Sequence, residues 1–147
     1  GQVGHVVEVN REFLRMLLDG GYVPVISPIG LADDGGSLSI NADDVASAIA
    51  ISLGAKKLIY LTDVAGVLES APDGALVRQL TSADLARRVE AGAITGGMKW
   101  KAQAILRALE GGVERVHVID GRQPHTVIAE LFTDRGVGSL VQRGTTP

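Results

Sequence analysis

Apolar residues fall into two alternating kinds of segment along this chain. Short runs rich in valine, isoleucine and leucine predict buried strands, at residues 3–9, 22–27, 57–61, 115–119 and 139–142. Longer segments that open on a capping residue or a glycine turn predict helices, at residues 11–18, 43–53, 82–91, 97–109 and 124–132. Strands that alternate with helices are typical of a parallel, doubly wound α/β sheet.

Polar residues at the helix starts support these boundaries. Asn10 and Asn41 are plausible N-caps, because an asparagine oxygen can accept a backbone N–H of the first turn. Residues 81–84 (TSAD) resemble a capping box in which aspartate replaces the more usual glutamate. Residues 29–39 predict a loop or hairpin that turns at 33–36 (DDGG), and further turns are predicted at 73–74 and 120–121 (both DG).

Residues 94–101 (ITGGMKWK) place two glycines where a helix begins, with two lysines soon after. The free N–H groups and positive dipole end of a helix N-terminus attract anions, and glycine allows an anion to approach the backbone closely. Because Lys99 and Lys101 are two positions apart, they point to nearly opposite sides of the helix, and we expect Lys101 to serve the site. A glycine turn followed by a surface lysine explains the segment equally well.

Residues 62–68 (TDVAGVL) follow a predicted buried strand at its carboxyl end, where ligands bind in open α/β sheets. The segment offers backbone groups, the Asp63 carboxylate and a glycine that permits a tight turn. With a regular folding order, the two glycines before Met98 and the Lys101 side chain face the same crevice, and a nucleotide could lie between. The alternative is a strand-ending aspartate that caps a turn.

Two well-known phosphate-binding motifs are missing. Residues 92–97 have the glycine spacing of a P-loop, but a methionine follows where that motif requires lysine. The sequence also has no G-x-G-x-x-G motif. A nucleotide would therefore be bound in another mode.

Asp43 comes two residues after the predicted cap Asn41. A carboxylate near a helix N-terminus interacts favourably with the helix dipole, so capping explains Asp43 without any function. The functional alternative is a carboxylate that holds a catalytic lysine in place. The spacing alone favours capping.

Composition narrows the classes of function. With 46% hydrophobic but only 3% aromatic residues among 147, the core must consist of aliphatic side chains, as in parallel sheets covered by helices. The net charge of -3 and the lack of a basic stripe argue against a nucleic-acid partner. There is no cysteine, and His5, His117 and His125 form no metal-binding motif, so we expect no metal site. No apolar run of membrane length and no signal peptide are visible, so a cytoplasmic protein is expected.

Five segments together resemble the N-acetylglutamate kinases: residues 21–30 (GYVPVISPIG), 41–43 (NAD), 61–67 (LTDVAGV), 96–101 (GGMKWK) and 117–122 (HVIDGR). They occur in that family's order and cover nearly the whole chain. The resemblance implies the amino-acid kinase fold, an α/β three-layer αβα sandwich with a mostly parallel sheet. It also implies transfer of the γ-phosphoryl group of ATP to the side-chain carboxylate of N-acetyl-L-glutamate, in arginine biosynthesis.

The resemblance also implies roles for particular residues. Lys101 would neutralise charge on the transferring phosphoryl group, and Asp43 would organise the catalytic lysines. Mg²⁺ would be bound mainly through the phosphates of ATP. Ser39 and Asn41 would bind the acceptor, with serine standing where the family usually has asparagine. The implied nucleotide contacts are Thr62, Asp63, Val64, Gly66, Val67, Leu68, Ala93, Ile94, Thr95, Gly97 and Met98.

The resemblance covers the C-terminal portion of the family. We expect residues 1–54 to be a remnant of the N-terminal substrate and dimerisation lobe, and residues 55–147 to form the C-terminal nucleotide-binding lobe. The family's N-terminal part carries another catalytic lysine and a glycine-rich phosphate loop, so we expect this chain alone to be inactive. Residues 99–100 (KW) replace a pair that usually carries less charge in the family. Lys99 could therefore take over or perturb the role of Lys101.

Two alternatives remain open for the function. Because Ser39 reaches less far than asparagine, the acceptor could be another amino-acid carboxylate, such as an aminoadipate derivative. A non-catalytic nucleotide- or arginine-binding module is the alternative from another class.

The C-terminal run resembles the arginine-inhibited branch of the family. There, residues matching His117, Glu130 and Gly136 help to form an allosteric L-arginine site, and a full-length enzyme is a homo-oligomer. Ordinary helix and turn packing is the alternative explanation for these three residues. The expected partners are thus ATP, the acceptor and, as the arginine-inhibited branch implies, an L-arginine effector, without nucleic acid or membrane.

Overall fold

A computed structural model describes residues 3–69 and 74–144 of the chain. Strands and helices are interspersed along these residues, broadly as the sequence predicts. Their bounds in chain order are β1 Val3–Gly4, α1 Arg11–Asp19, β2 Ile29–Leu31, β3 Ser37–Ile40, α2 Ala42–Leu53, β4 Lys57–Thr62, β5 Gln79–Thr81, α3 Ser82–Glu90, α4 Gly96–Glu110, β6 Arg115–Asp120, α5 Thr126–Phe132 and β7 Ser139–Gln142.

The described strands form two sheets. The first has the order β1-β3-β2, with β1 parallel and β2 antiparallel to β3. The second has the order β4-β6-β7-β5, in which β6 is parallel to β4 and antiparallel to β7, and β5 is parallel to β7. Three of these five pairings are parallel, so the α/β class with mostly parallel strands is confirmed. The strands are nevertheless divided between two mixed sheets, where the sequence suggested a single parallel one.

Two strand predictions need correction, and one strand was missed. Residues 22–27 form no strand, and Val23 and Val25 are 87% and 97% exposed, because no other described segment pairs with this run. Pro24 inside the run also lacks the N–H that a sheet requires. Only Val3–Gly4 of the predicted strand 3–9 pairs with a neighbour. β5 was not predicted, since three residues are too few to show a pattern.

The N-caps predicted for α1, α2 and α3 are confirmed by their hydrogen bonds. The Asn10 side chain accepts the N–H of Phe13, and that of Asn41 accepts the N–H groups of the second and third residues of α2. Thr81 and Asp84 form a reciprocal capping box at the start of α3. The hairpin turn predicted at 33–36 joins β2 to β3. The turn predicted at 73–74 includes Asp73, which lies outside the described residues.

The hydrophobic core lies between the second sheet and helices α2, α3 and α4. Ile105 and Leu109 of α4 are buried in one cluster with Val116 and Val118 of β6. Burying such a side chain contributes about 1.5–3 kcal/mol each. A Cβ built on Gly111 would come within 2.6 Å of Ile51, so α2 and α4 approach closely at this end. The core thus fixes α2 and α4 against each other and against β4.

The first sheet and α1 leave large apolar side chains exposed, among them Phe13, Met16 and Leu31. No helix among residues 3–69 and 74–144 is long and apolar enough to cross a membrane.

Candidate functional site

A cavity of about 600 Å³ opens where β4 ends and α4 begins. Its wall is formed by two chain segments, residues 62–68 and 93–101, and by two residues at the start of α2. Every residue proposed above as a nucleotide contact lines it, at positions 62–64, 66–68, 93–95, 97 and 98. Asn41, Asp43, Trp100 and Lys101 complete the lining. The tertiary structure therefore brings together segments that are up to 60 positions apart in the chain.

An ion pair between Lys101 and Asp43 lies at this cavity. Nζ of Lys101 is 2.5 Å from Oδ1 of Asp43, and the two side chains are only 13% and 22% exposed. Asp43 also stands in the first turn of α2, so the capping and the lysine-holding interpretations apply to the same residue. Lys99, in contrast, is exposed and does not line the cavity. Helix geometry allowed only one of the two lysines to face the site, and Lys101 is the one that lines the cavity.

Behind this pair, a buried tyrosine contacts both of its members. The Tyr60 ring lies under Lys101, with Nζ 4.7 Å from the ring centroid. The Tyr60 hydroxyl donates to the backbone oxygen of Asp43 at 2.9 Å and lies 2.7 Å from Oγ of Ser47. Burial raises the pKa of Tyr60 to about 12, partly offset by the Ser47 hydrogen bond, so the phenol is neutral at physiological pH.

The N-terminus of α4 forms another part of the cavity wall. Thr95 is the N-cap, but its side chain makes no capping hydrogen bond and the first turn holds no acidic residue. The backbone N–H groups of that turn therefore remain available to a ligand. A Cβ added at Gly97 would meet no atom within 4 Å, so this side of the helix faces open space. Free donors, the helix dipole and Lys101 together make this end of the cavity suitable for an anion.

The turn after β4 is fixed by a residue from the other end of the chain. Oγ of Ser139 accepts the N–H of Val67 at 2.9 Å and donates to the backbone oxygen of Val77 at 2.6 Å. Gly66 has φ of 149°, and a Cβ there would lie 2.6 Å from the same Ser139 oxygen. Glycine is thus required at this position both by conformation and by space.

The three residues proposed for an arginine site form a separate buried cluster. Nδ1 of His117 is 2.7 Å from Oε1 of Glu130. Oε2 of Glu130 accepts the N–H groups of Val137 and Gly138 at 2.7 and 2.9 Å. Burial alone raises the pKa of Glu130, but these hydrogen bonds outweigh it and leave the pKa below its usual value. Nε2 of His117 is buried without a hydrogen-bond partner among the described residues.

Gly136 lies against the same carboxylate. A Cβ added at Gly136, which has φ of 58°, would come within 2.7 Å of Oε2 of Glu130. His117, Glu130 and Gly136 are therefore in one place, as proposed, and the carboxylate is already engaged there by groups of this chain.

Ser39, proposed to bind the acceptor, does not line the cavity and is exposed on β3. Four residues that line or support the cavity were not proposed as site residues from the sequence: Ser47, Tyr60, Trp100 and Ser139. Trp100 could have been found, because it is the neighbour of Lys101 and the single tryptophan of the chain. The other three gave no local signal, because their partners lie 13 to 72 positions away.

The described part of the chain holds no cluster of three or more His, Cys, Asp or Glu residues placed to bind a metal ion. Asp63 lines the cavity and accepts a 3.2 Å hydrogen bond from the Thr62 hydroxyl. Asp120, at the end of β6, is held by Arg122 through two side-chain hydrogen bonds. The Arg122 side chain and backbone N–H lower the pKa of Asp120 to about 2.

Comparison with known proteins relates this arrangement to other chains. The sequence profile of the amino acid kinase family matches residues 1–120. The chain is 50% identical over 146 residues to the acetylglutamate kinase of Methanothrix thermoacetophila, covering 99% of this chain and 50% of that protein. It is 46% identical over 144 residues to the acetylglutamate kinase of Methanocaldococcus jannaschii, covering 97% and 48%. The chain thus spans about half the length of the curated relatives it matches.

Among solved structures, the N-acetylglutamate synthase from Neisseria gonorrhoeae, complexed with coenzyme A and L-arginine, is similar with a TM-score of 0.90. The two chains are 29% identical, and the similarity covers 99% of this chain and 33% of that one.

Proposed function

Because the chain belongs to the amino acid kinase family, we propose that it forms the nucleotide-binding part of a kinase that phosphorylates an amino-acid carboxylate. The acceptor that the relatives favour is N-acetyl-L-glutamate, since curated proteins 46–50% identical to this chain are named acetylglutamate kinases. The product would be the acyl phosphate of its side chain, an intermediate of arginine biosynthesis. In this proposal residues 55–147 form the nucleotide lobe, and residues 1–54 belong to the acceptor lobe.

The observation that carries the proposal is the Lys101–Asp43 pair beside the uncapped start of α4. Phosphoryl transfer needs little covalent chemistry from the protein, because positioning and positive charge against the phosphoryl oxygens supply most of the rate enhancement. The ammonium of Lys101 and the N–H groups of the first turn of α4 are such charges. Asp43 would hold the lysine at the cavity until the phosphates arrive.

The nucleotide would lie between residues 62–68 and residues 93–98, with its phosphates toward Lys101. Mg²⁺ would be carried by the phosphates. The acceptor carboxylate is itself the nucleophile: one of its oxygens forms the new bond to the γ-phosphorus as the bond to the β–γ bridging oxygen breaks. ADP leaves with that oxygen, so no strong general base is required. Asn41 lines the cavity near Asp43 and stays a candidate for acceptor contact, whereas Ser39 lies outside it.

The identity of the acceptor can be decided by assay. Ser39 is the departure that keeps another carboxylate, such as an aminoadipate derivative, in consideration. We propose turnover measurements on a fusion of this chain behind the N-terminal half of the Methanothrix kinase, with both acceptors. A fusion that phosphorylates only the aminoadipate derivative would overturn the choice of acetylglutamate.

The lysine assignment has a matched pair of variants. In the fusion, Lys101→Ala should lower kcat far more than it raises KM, by about 3–4 kcal/mol of transition-state stabilisation, because its charge is used mainly in the transition state. Lys99→Ala should change kcat little, since Lys99 faces away from the cavity. The reversed order of effects would remove Lys101 from the proposed role.

Nucleotide binding, the first step of the proposed reaction, can be tested on this chain alone. We expect calorimetry to show binding of MgATP and MgADP by the chain alone, and no acyl-phosphate formation, because the resemblance places a second catalytic lysine in the N-terminal part. If the isolated chain bound neither nucleotide, the proposal that it is the nucleotide-binding part of a kinase would be wrong.

A second candidate function, an arginine-binding module, is favoured by the buried His117–Glu130 cluster and by the arginine named with the similar synthase structure. A carboxylate offers about four acceptor positions, and in Glu130 three are taken by His117 and two backbone N–H groups. One position at Oε1 is left for a guanidinium, and Nε2 of His117 lacks a partner in the described structure.

Titration with L-arginine separates this candidate from the kinase. L-citrulline is a suitable control ligand, because it has nearly the same shape without the positive charge. Binding of arginine but of neither citrulline nor MgATP would favour the non-catalytic module. Arginine and MgATP binding that weaken one another would instead indicate a regulated kinase, because coupling between binding sites is reciprocal.

A further inference from the structure

Two contacts, one helical turn apart, join α2 to α4 beside the cavity. The first is the Asp43–Lys101 ion pair. The second is a 2.8 Å hydrogen bond from Oγ of Ser47 to the backbone oxygen of Ala104. Ser47 is four residues after Asp43, and Ala104 is three after Lys101, so both contacts lie on the same helix faces.

Tyr60 enters from β4 and contacts both of these links. Its ring lies under the Lys101 ammonium, and its hydroxyl bonds to the Asp43 backbone and to Ser47. It is 4% exposed, and Ser47 is 1% exposed. The phenol is therefore held by rigid elements, whereas a lysine side chain has four rotatable bonds and no rigidity of its own.

The Tyr60 and Ser47 hydroxyls supply too few protons for all the contacts of this network. Tyr60 and Ser47 carry one hydroxyl proton each, but their hydroxyls take part in three oxygen–oxygen contacts, one with each other, one with Asp43 and one with Ala104. Two of the three contacts can be satisfied at once. Removing the Ser47 hydroxyl breaks the hydrogen bond from α2 to Ala104 of α4, and removing the Tyr60 hydroxyl breaks the bond that ties β4 to the Asp43 backbone.

We propose that Tyr60, together with Ser47, is a positioning residue that fixes the Lys101 ammonium at the phosphate end of the cavity. This inference deepens the proposed function and rests on it for the identity of the ligand. Tyr60 does not line the cavity, so its effect on a bound nucleotide must pass through the Lys101–Asp43 pair. The ring supplies a cation–π contact from below, and the hydroxyl keeps the ring and the start of α2 in register.

The first test needs no nucleotide. The chain has four lysines, Lys56, Lys57, Lys99 and Lys101, and their acylation by a limiting amine reagent can be compared by mass spectrometry. In Tyr60→Phe and in Ser47→Ala, we expect Lys101 to react about three- to tenfold faster relative to Lys99 than in the native chain, as the loss of one hydrogen bond allows. Tyr60→Leu, which also removes the ring, should increase the relative acylation rate of Lys101 further.

The matched control is Tyr22→Phe, because Tyr22 is the other tyrosine and is 67% exposed. It should leave the reactivity of Lys101 unchanged. Unchanged Lys101 reactivity in Tyr60→Phe and Ser47→Ala as well would overturn the inference, whether or not nucleotides bind. Faster Lys101 labelling in a chain that binds no nucleotide would support the positioning role and reject the proposed function.

The second test asks whether Tyr60 acts through Lys101. Trp100 lines the cavity, so its fluorescence can follow titrations with MgATP and with adenosine. Tyr60→Phe should weaken MgATP binding about three- to tenfold and leave adenosine binding unchanged, because only the phosphates meet Lys101. In a Lys101→Met background the same substitution should have no effect on MgATP binding. Tyr60 would have a merely structural role if Tyr60→Phe lost as much affinity for adenosine as for MgATP. The same would follow if it weakened MgATP binding just as much in the Lys101→Met background.

Discussion

The Glu130 carboxylate gives the sharpest stability prediction, because it is 9% exposed and accepts three hydrogen bonds. Glu130→Gln keeps the shape but removes the charge. The amide oxygen can still accept two bonds, while the amide NH₂ then faces Nδ1 of His117. That nitrogen must become an acceptor, and the imidazole proton moves to Nε2, which has no partner among the described residues.

The expected magnitude follows from counting these bonds. A hydrogen bond to a charged group contributes about 1.5–3 kcal/mol and a neutral one about 0.5–1.5, so three bonds that each lose roughly 1 kcal/mol give a destabilisation of about 3 kcal/mol. Glu130→Ala removes both acceptor oxygens, and so all three hydrogen bonds, and should cost about 3–5 kcal/mol. Arginine binding by Glu130→Ala must therefore be measured well below the thermal unfolding midpoint of that variant. Otherwise unfolding would be mistaken for lost binding.

Urea unfolding followed by circular dichroism measures the effect, and Glu114→Gln is the control, because Glu114 is exposed on the surface. The pH dependence adds a second check. The pKa of Glu130 is lowered by folding from its usual 4.5, so its contribution is complete above pH 4.5 and is lost as the pH falls through the native pKa. The gap between the native chain and Glu130→Gln should therefore shrink in acid. A Glu130→Gln chain as stable as the native one at pH 7 would refute the reasoning.

Three further outcomes are expected. Because folding raises the pKa of Tyr60 to about 12 from 10.0, the unfolded chain ionises first; urea unfolding should show the native chain losing roughly 2–3 kcal/mol more than Tyr60→Phe between pH 10 and 12. Gly138→Ala should destabilise by roughly 3 kcal/mol or more in the same assay, since its Cβ would lie 2.2 Å from the backbone oxygen of Val118. Gly97→Ala has open space for its Cβ and should keep its thermal midpoint, but it should weaken MgATP binding in calorimetry by crowding the phosphates.

The sequence alone determined the features whose causes are local. Asn41 and the Thr81–Asp84 box could be assigned as caps because a side chain and the N–H groups it accepts are within three residues of each other. Helix geometry also required that only one of Lys99 and Lys101 serve the site, and the family resemblance matched Lys101. The grouping of residues 62–68 with the start of α4 followed from the rule that ligands bind at the carboxyl ends of strands. The role proposed for Asp43 came from the family resemblance, since local spacing favoured capping.

Only the tertiary structure decided the features whose partners are distant in sequence. Residues 22–27 have a strand-like composition but no pairing segment among the described residues, and the three residues of β5 form a strand only because β7 lies beside them. Ser139 fixes the Val67 turn across 72 positions, and Tyr60 and Ser47 meet Asp43 and Ala104 behind the cavity. Such contacts depend on chain topology, because a hydroxyl bonds to whatever acceptor the fold brings within about 3 Å. The pattern of one segment does not contain that information.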